Sequence, residues 1–172
     1  MAEIWLEIWG TLRSEFADIP DVAEATRIAL RLGMAVLLGG LLGYERERSG
    51  KAAGLRTHML VALGAAIFVL VPLQNGMPIG DLSRVLQGVI AGIGFLGAGA
   101  IIKLSDEREI RGLTTSASIW MTAAIGVAAG MGREATAVAS TLMALFVLAV
   151  LRRVEARIAS GNEKRLIERE RP

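Results

Sequence analysis

The residues of this chain that could do chemistry are gathered at the ends of long apolar runs. One group lies between positions 44 and 58, where Glu45, Arg46, Glu47, Arg48, Lys51, Arg56, Thr57 and His58 follow Tyr44 closely. A plain basic loop has no need of two acids. Glu45 and Glu47 can pair Arg56, Lys103 or Arg111 across helix ends, or their carboxylates can hold a hard cation, since Mg2+ often takes one or two carboxylates and keeps its waters. His58, the single histidine, suits a capping or interhelical hydrogen bond better than catalysis. A second group comprises Arg31, Asp81 and Arg84. An arginine at membrane depth costs several kcal/mol unless it is paired or wet, so Arg31 is expected to pair with Asp81 or to line a water-filled vestibule. Arg27, one turn earlier, can snorkel to headgroups. Asp81 and Glu45 are candidate metal ligands. No resident cofactor is expected, Mg2+ being the ion these acids would suit. Ser116 or Ser118 with His58 could be drawn as a nucleophile and base, but the nucleophile turn and the orienting acid are missing. The chain is not expected to be an enzyme.

These groups owe their cost to what surrounds them. Residues 57–80, 85–102, 112–132 and 135–151 contain no Asp, Glu, Lys or Arg, and each run is near the ~20 residues needed to cross ~30 Å of hydrocarbon. The run 32–44 reaches that length if it begins near Glu24. The pattern predicts an all-α integral membrane protein with five transmembrane helices, roughly 22–45, 55–73, 83–103, 112–131 and 134–152. Trp5, Ile8, Trp9, Leu12 and Phe16 recur at helical spacing, which predicts an amphipathic interfacial helix over 1–20 ahead of the membrane domain at 21–153. Glu3 and Glu7 exclude a signal peptide. A charged cytoplasmic tail is expected over 154–172. Arg46, Arg48, Lys51 and Arg56, then Lys103, Arg108 and Arg111, then the basic tail all fall on one side of a five-span bundle. That places the N-terminus outside and the C-terminus in the cytoplasm. At 172 residues no separate soluble domain of ordinary size remains. The absence of cysteine excludes disulfides and thiolate metal sites, and no basic face suits nucleic acid.

Small residues mark the helix faces. On the third span Gly88, Gly92 and Gly99 share one face, while Gly94 and Gly97 lie roughly opposite, so two neighbours could approach this backbone closely. That predicts a tightly packed central helix; the alternative is a helix locally broken to aim backbone dipoles at an ion. On the fourth span Thr114, Ser118, Thr122, Gly126 and Gly130 form a stripe that bonds a neighbour or its own preceding turn, or else lines a polar pathway. Gly39 and Gly43 repeat the close-packing spacing on the first span. Such faces predict a homodimer through span one, three or four, and contacts with other membrane proteins, within the lipid bilayer.

Four segments together resemble the MgtC/SapB family. They are Gly39-Gly-Leu-Leu-Gly-Tyr-Glu-Arg-Glu-Arg, Lys51-Ala-Ala-Gly-Leu-Arg-Thr-His-Met-Leu, Gly92-Ile-Gly-Phe-Leu-Gly-Ala-Gly and Arg111-Gly-Leu-Thr-Thr-Ser-Ala-Ser. The resemblance runs from about Arg27 to Arg153. The matching positions are Arg31, Glu45, Arg46, Lys51, Arg56, Thr57, His58, Asp81, Arg84, Gly92, Gly94, Gly97, Gly99, Arg111, Thr114 and Thr115. The resemblance implies a multi-pass protein of the bacterial inner membrane, linked to magnesium homeostasis under magnesium limitation and, in pathogens, to virulence through survival inside host cells. It implies regulation of other membrane proteins, with transport of Mg2+ or another small ion or solute as the alternative. Many family members add a cytoplasmic ACT-like domain, for which this chain is too short.

Overall fold

The computed structural model describes residues 2–15, 17, 21–103 and 110–150, and everything below concerns those residues. The tail expected over 154–172 lies outside them. The elements are α1 (Ala2–Glu15), α2 (Val22–Arg48), α3 (Leu55–Gln74), α4 (Leu82–Gly99), β1 (Ile102–Lys103), β2 (Ile110–Arg111), α5 (Leu113–Gly130) and α6 (Glu134–Val150). Helices α2, α3, α4 and α5 are long and apolar enough to cross a membrane, and α6 is apolar but shorter.

Local chemistry explains the boundaries. Asp21 opens α2 by accepting a 2.7 Å hydrogen bond from the Glu24 amide, which satisfies one of the free donors of the first turn. Glu24 then pairs with Arg27 at 2.8 Å. Gly50, at φ +66, turns the chain after α2. Glu47 reaches across that turn, and its Oε2 accepts from the Leu55 amide at 2.8 Å, capping α3 from eight residues upstream. Pro72 lies inside the last turns of α3. Helix α4 stops short of the expected residue 103. Ile102 and Lys103 pair antiparallel with Arg111 and Ile110, and Gly112, at φ +97, folds back against the Ala100 carbonyl. Left-handed backbone of this kind suits glycine.

The core is built from three helices and buttressed by a fourth. Ala35, Leu38 and Leu42 of α2 meet Ala62 and Ala66 of α3 and Ile125 and Ala129 of α5, and Ala137 of α6 closes the cluster. Glycines let these backbones approach. A Cβ on Gly39 would stand 2.7 Å from the His58 carbonyl oxygen, and one on Gly126 would stand 2.8 Å from the Ala62 Cα. Close approach through small residues replaces the hydrophobic drive that lipid cannot supply.

Helix α4 overturns the expectation of a packed central span. Only Leu82 and Gly97 are buried on it. Gly97 faces the Ser116 hydroxyl, but Gly88, Gly92, Gly94 and Gly99 have no atom within 4 Å of where a Cβ would sit. The helix is continuous through this glycine run, so the locally broken helix is not seen either. Position in the bundle decides this: α2, α3 and α5 already cover one another's small faces, which leaves α4 at the edge.

Candidate functional site

The polar residues that the fold brings together lie where the C-terminal end of α2 meets the starts of α3 and α5. The chain reaches this point because α3 packs antiparallel to α2 and parallel to α5. Gly43 therefore sits beneath Leu55 and His58, where an added Cβ would be 2.7 Å from the Leu55 Cα and 3.0 Å from the His58 Cβ. His58 is fully buried. Its Nδ1 is 2.9 Å from the Gly54 carbonyl oxygen, and its Nε2 is 3.2 Å from Ser118 Oγ. A carbonyl can only accept, so Nδ1 carries the hydrogen and a neutral Nε2 is left as an acceptor. The Ser118 hydroxyl, also 2.8 Å from the Thr115 carbonyl oxygen, has one proton for these two acceptors. The imidazole thus ties α3 to α5 through a single bond.

Beside it, Arg46 is 3% exposed. Its Nε donates to Glu45 Oε2 at 2.6 Å, and the other carboxylate oxygen of Glu45 accepts from Ser49 Oγ at 2.9 Å. Arg46 Nη1 is buried without a hydrogen-bond partner. Glu45 therefore acts first as the counter-ion of a buried guanidinium.

The small-residue stripe of α5 divides. Ser118, Thr122, Gly126 and Gly130 are buried, with Thr122 Oγ1 donating to the Ser118 carbonyl at 2.8 Å. Thr115 is buried near Ser118, whereas Thr114 is exposed. The hydroxyls thus bond the preceding turn of their own helix, as one of the two expectations held. An apolar groove of about 530 Å3 between α2, α5 and α6 reaches Thr114 and Ser118, with Leu42, Met121 and Leu148 among its walls.

Lys51, Arg56 and Arg111 are exposed and Thr57 is half-buried. Arg31, Asp81 and Arg84 lie toward the far end of the bundle, since α2 and α4 run in the same direction. Arg31 does not pair with Asp81. Its guanidinium lies over Gly132 in the α5–α6 turn, where Nη2 would be 2.6 Å from an added Cβ, and Asp81 is exposed at the head of α4. A cation charge beside the carbonyl end of α5 is favourable to the helix dipole. Glu45 and Asp81, at opposite ends, cannot share one ion. Among the described residues no group of three or more His, Asp or Glu is placed to hold a metal.

Several contributors were visible in the sequence by type but not by duty. Glu47 looks like one acid in a charged loop until the turn brings it to the α3 amides. Gly130 and Gly132 carry different duties, the first admitting Ala66 and Val69 of α3 and the second, at φ +71, making the turn under Arg31.

Comparison with known proteins follows the same segments. The chain is 43% identical to SrpB of Synechococcus elongatus over 139 residues, 74% of this chain and 76% of that protein. It is 39% identical over 140 residues to YhiD of Escherichia coli K12, whose name proposes a magnesium transporter, covering 77% of this chain and 64% of that one. It is 40% identical over 143 residues to MgtC of Salmonella typhimurium LT2, covering 80% and 60%. The chain therefore spans less than two thirds of the length of the latter two relatives. No solved structure matches. Residues 32–157 match the model of the MgtC family, a stretch that begins within α2, runs through α6 and includes every residue of the cluster around His58. The chain belongs to the MgtC family.

Proposed function

We propose that this protein is a multi-pass protein of the bacterial inner membrane in magnesium homeostasis, acting by helix–helix contact on other membrane proteins. In this reading α2 to α6 are five spans, the N-terminus is outside, and the end carrying Arg46 and His58 faces the cytoplasm, in accord with the basic connections there. Helix α1 exposes Ile4, Trp5, Leu6, Ile8, Trp9 and Leu12 and lies in the outer interface. The observation that carries the reading is how the polar side chains along the bundle are used. Thr122 and Thr141 each donate to a carbonyl of their own helix, at 2.8 Å, and Ser118 shares its one proton between the Thr115 carbonyl and His58 Nε2. His58 and Arg46 are held by neighbours. The hydroxyls are used within their own helices and His58 links α3 to α5, so these groups do not present a file of ligands to an ion. The protein performs no catalysis.

The name of YhiD favours a second reading, transport of Mg2+ or another small solute, with Arg31, Asp81 and Arg84 at the outer mouth and Glu45 and Arg56 at the inner one. One experiment separates the two. Purified protein is reconstituted into liposomes holding a Mg2+ indicator, and the same gene and its His58→Ala variant are tested for restoring growth at low Mg2+ in a strain lacking a family member. The regulatory reading expects growth restored by the wild type and lost with His58→Ala, and no flux above protein-free liposomes. Flux that His58→Ala abolishes would overturn it.

A further inference from the structure

One side of α3 is filled and the other is not. Ala62 and Ala66 press against α5, where Gly126 and Gly130 admit them. Gly64 and Phe68, each two residues further on, lie on the opposite side of the helix. No atom stands within 4 Å of where a Cβ on Gly64 would sit, and Phe68 is 62% exposed. Across from them runs α4. An apolar groove of about 520 Å3 separates the two helices, with Gly64 and Phe68 on one wall and Gly88 and Gly92 on the other. The antiparallel run of α3 and α4 sets the levels. Gly64 stands ten residues before Gln74 and Gly92 ten after Leu82, while Phe68 and Gly88 each stand six from the same two ends. Glycine therefore faces glycine, and nearer the connection an aromatic ring faces glycine. Gly88 and Gly92, like Gly64, meet nothing within 4 Å. The two walls match in shape and stand apart.

We propose that α4 is a strap that closes onto α3 and shuts this groove. The helix is held at two points: Leu82 at its start, 1% exposed, and Gly97, which faces the Ser116 hydroxyl. About 22 Å of helix lies between them, and it carries Gly88, Gly92 and Gly94, residues of the kind at which helices bend. Closing seats the Phe68 ring over Gly88 and brings the backbones at Gly64 and Gly92 together. That is the contact Gly126 and Gly130 already make with the other side of α3. In a bilayer the alternative filling of the groove is lipid chain, which is as apolar as the walls, so the two packings compete on shape alone. Such a helix is a two-state element. Open, the bundle offers a groove to lipid or to a neighbouring helix; closed, it offers none. The closure takes from the function proposed above only that α3 and α4 lie in the bilayer.

The chain has no cysteine, so a disulfide in the Gly64→Cys, Gly92→Cys double variant reports on these two positions alone. Such a bond needs Cα atoms within about 7 Å of each other. Oxidation in native membranes is expected to form it at monomer mass, read as loss of both thiols to a maleimide–polyethylene glycol mass tag. Adding Gly88→Leu puts a side chain where the Phe68 ring must seat. In the open form that side chain starts into empty space, so only closure feels it. The rate of bond formation should then fall about fivefold or more, the least that an overpacked contact costs. Gly94→Leu makes the same change at a glycine equally open but outside the groove, and should leave the rate unchanged. Closure is refuted if the bond does not form, if the product has twice the monomer mass, if Gly88→Leu leaves the rate unchanged, or if Gly94→Leu lowers it equally. Extraction with alkaline carbonate keeps the two readings apart. Release of the protein from the membrane refutes the spanning reading, whereas retention without the bond refutes closure alone.

Discussion

Gly126 offers the sharpest test of how this bundle is held together, because the structure predicts that two identical substitutions have opposite signs. A methyl added at Gly126 would stand 2.8 Å from the Ala62 Cα and 2.9 Å from its carbonyl carbon. These are backbone atoms, so relief requires α5 to move away from α3 and strains the contacts on either side, His58–Ser118 one way and Gly130–Ala66 the other. Overpacking of this kind costs about 1–3 kcal/mol. Gly33, on α2, has no atom within 4 Å of its added Cβ, so Gly33→Ala is expected to be neutral or to stabilise by up to about 1 kcal/mol through helix propensity. The two variants should therefore differ by about 1–4 kcal/mol, roughly fivefold to a thousandfold in the unfolding equilibrium. The assay is reversible unfolding of the purified protein in mixed micelles by increasing mole fraction of SDS, followed by circular dichroism and tryptophan emission. Equal effects of Gly126→Ala and Gly33→Ala, or a stabilising Gly126→Ala, would refute the claim that backbone proximity between α3 and α5 is what the glycine provides.

The hydrogen bond from Ser118 to His58 is expected to show coupling in a double-mutant cycle. His58→Ala and Ser118→Ala should each cost about 1–3 kcal/mol, and the double variant should cost less than their sum by 0.5 kcal/mol or more, roughly the lower bound for residues in contact; additivity in the same SDS titration would show that the contact is not made. Glu45→Gln removes the charge facing the buried Arg46 guanidinium and should destabilise by about 3 kcal/mol, while Glu45→Gln combined with Arg46→Met should recover much of that loss. A destabilisation by Glu45→Gln that Arg46→Met leaves unchanged would mean Glu45 acts through another group. Alkaline phosphatase fused after Gly132 should be active and the same enzyme fused after Ser49 inactive, since the five-span topology puts the first outside and the second inside; the reverse pattern would invert the bundle.

The helices were legible in the sequence because each is a single uninterrupted run of uncharged residues. The expected span 55–73 and the observed Leu55–Gln74 differ by one residue, since Gly54 and the Asn75-Gly76 turn mark its ends in local chemistry. The third span was overextended for an equally specific reason. Ile102 and Lys103 are apolar or neutral to a helix pattern, and only their pairing with Ile110 and Arg111 takes them out of it. The candidate site was half legible. Glu45, Arg46, His58 and Ser118 stand out by type, but their spacing along the chain does not reveal that Ser118, sixty residues away, completes the imidazole's hydrogen bonding. Arg31 was legible as an expensive residue, but of its two expected surroundings the pairing with Asp81 is not made, because the fold sets its guanidinium over Gly132, a placement that spacing along the chain does not reveal.

The sequence by itself determined the medium and the parts: apolar rods for hydrocarbon, basic connections, and which side chains are too polar to stand unpaired there. These follow from transfer energies, which depend on composition along a segment and not on its neighbours. Tertiary structure alone decided how the glycines divide, with Gly39 and Gly43 of α2 and Gly126 and Gly130 of α5 spent on close contacts inside the chain and most of those of α4 left open. Spacing on a helix says which residues share a face, but which face finds another helix depends on the order in which five rods pack around one centre.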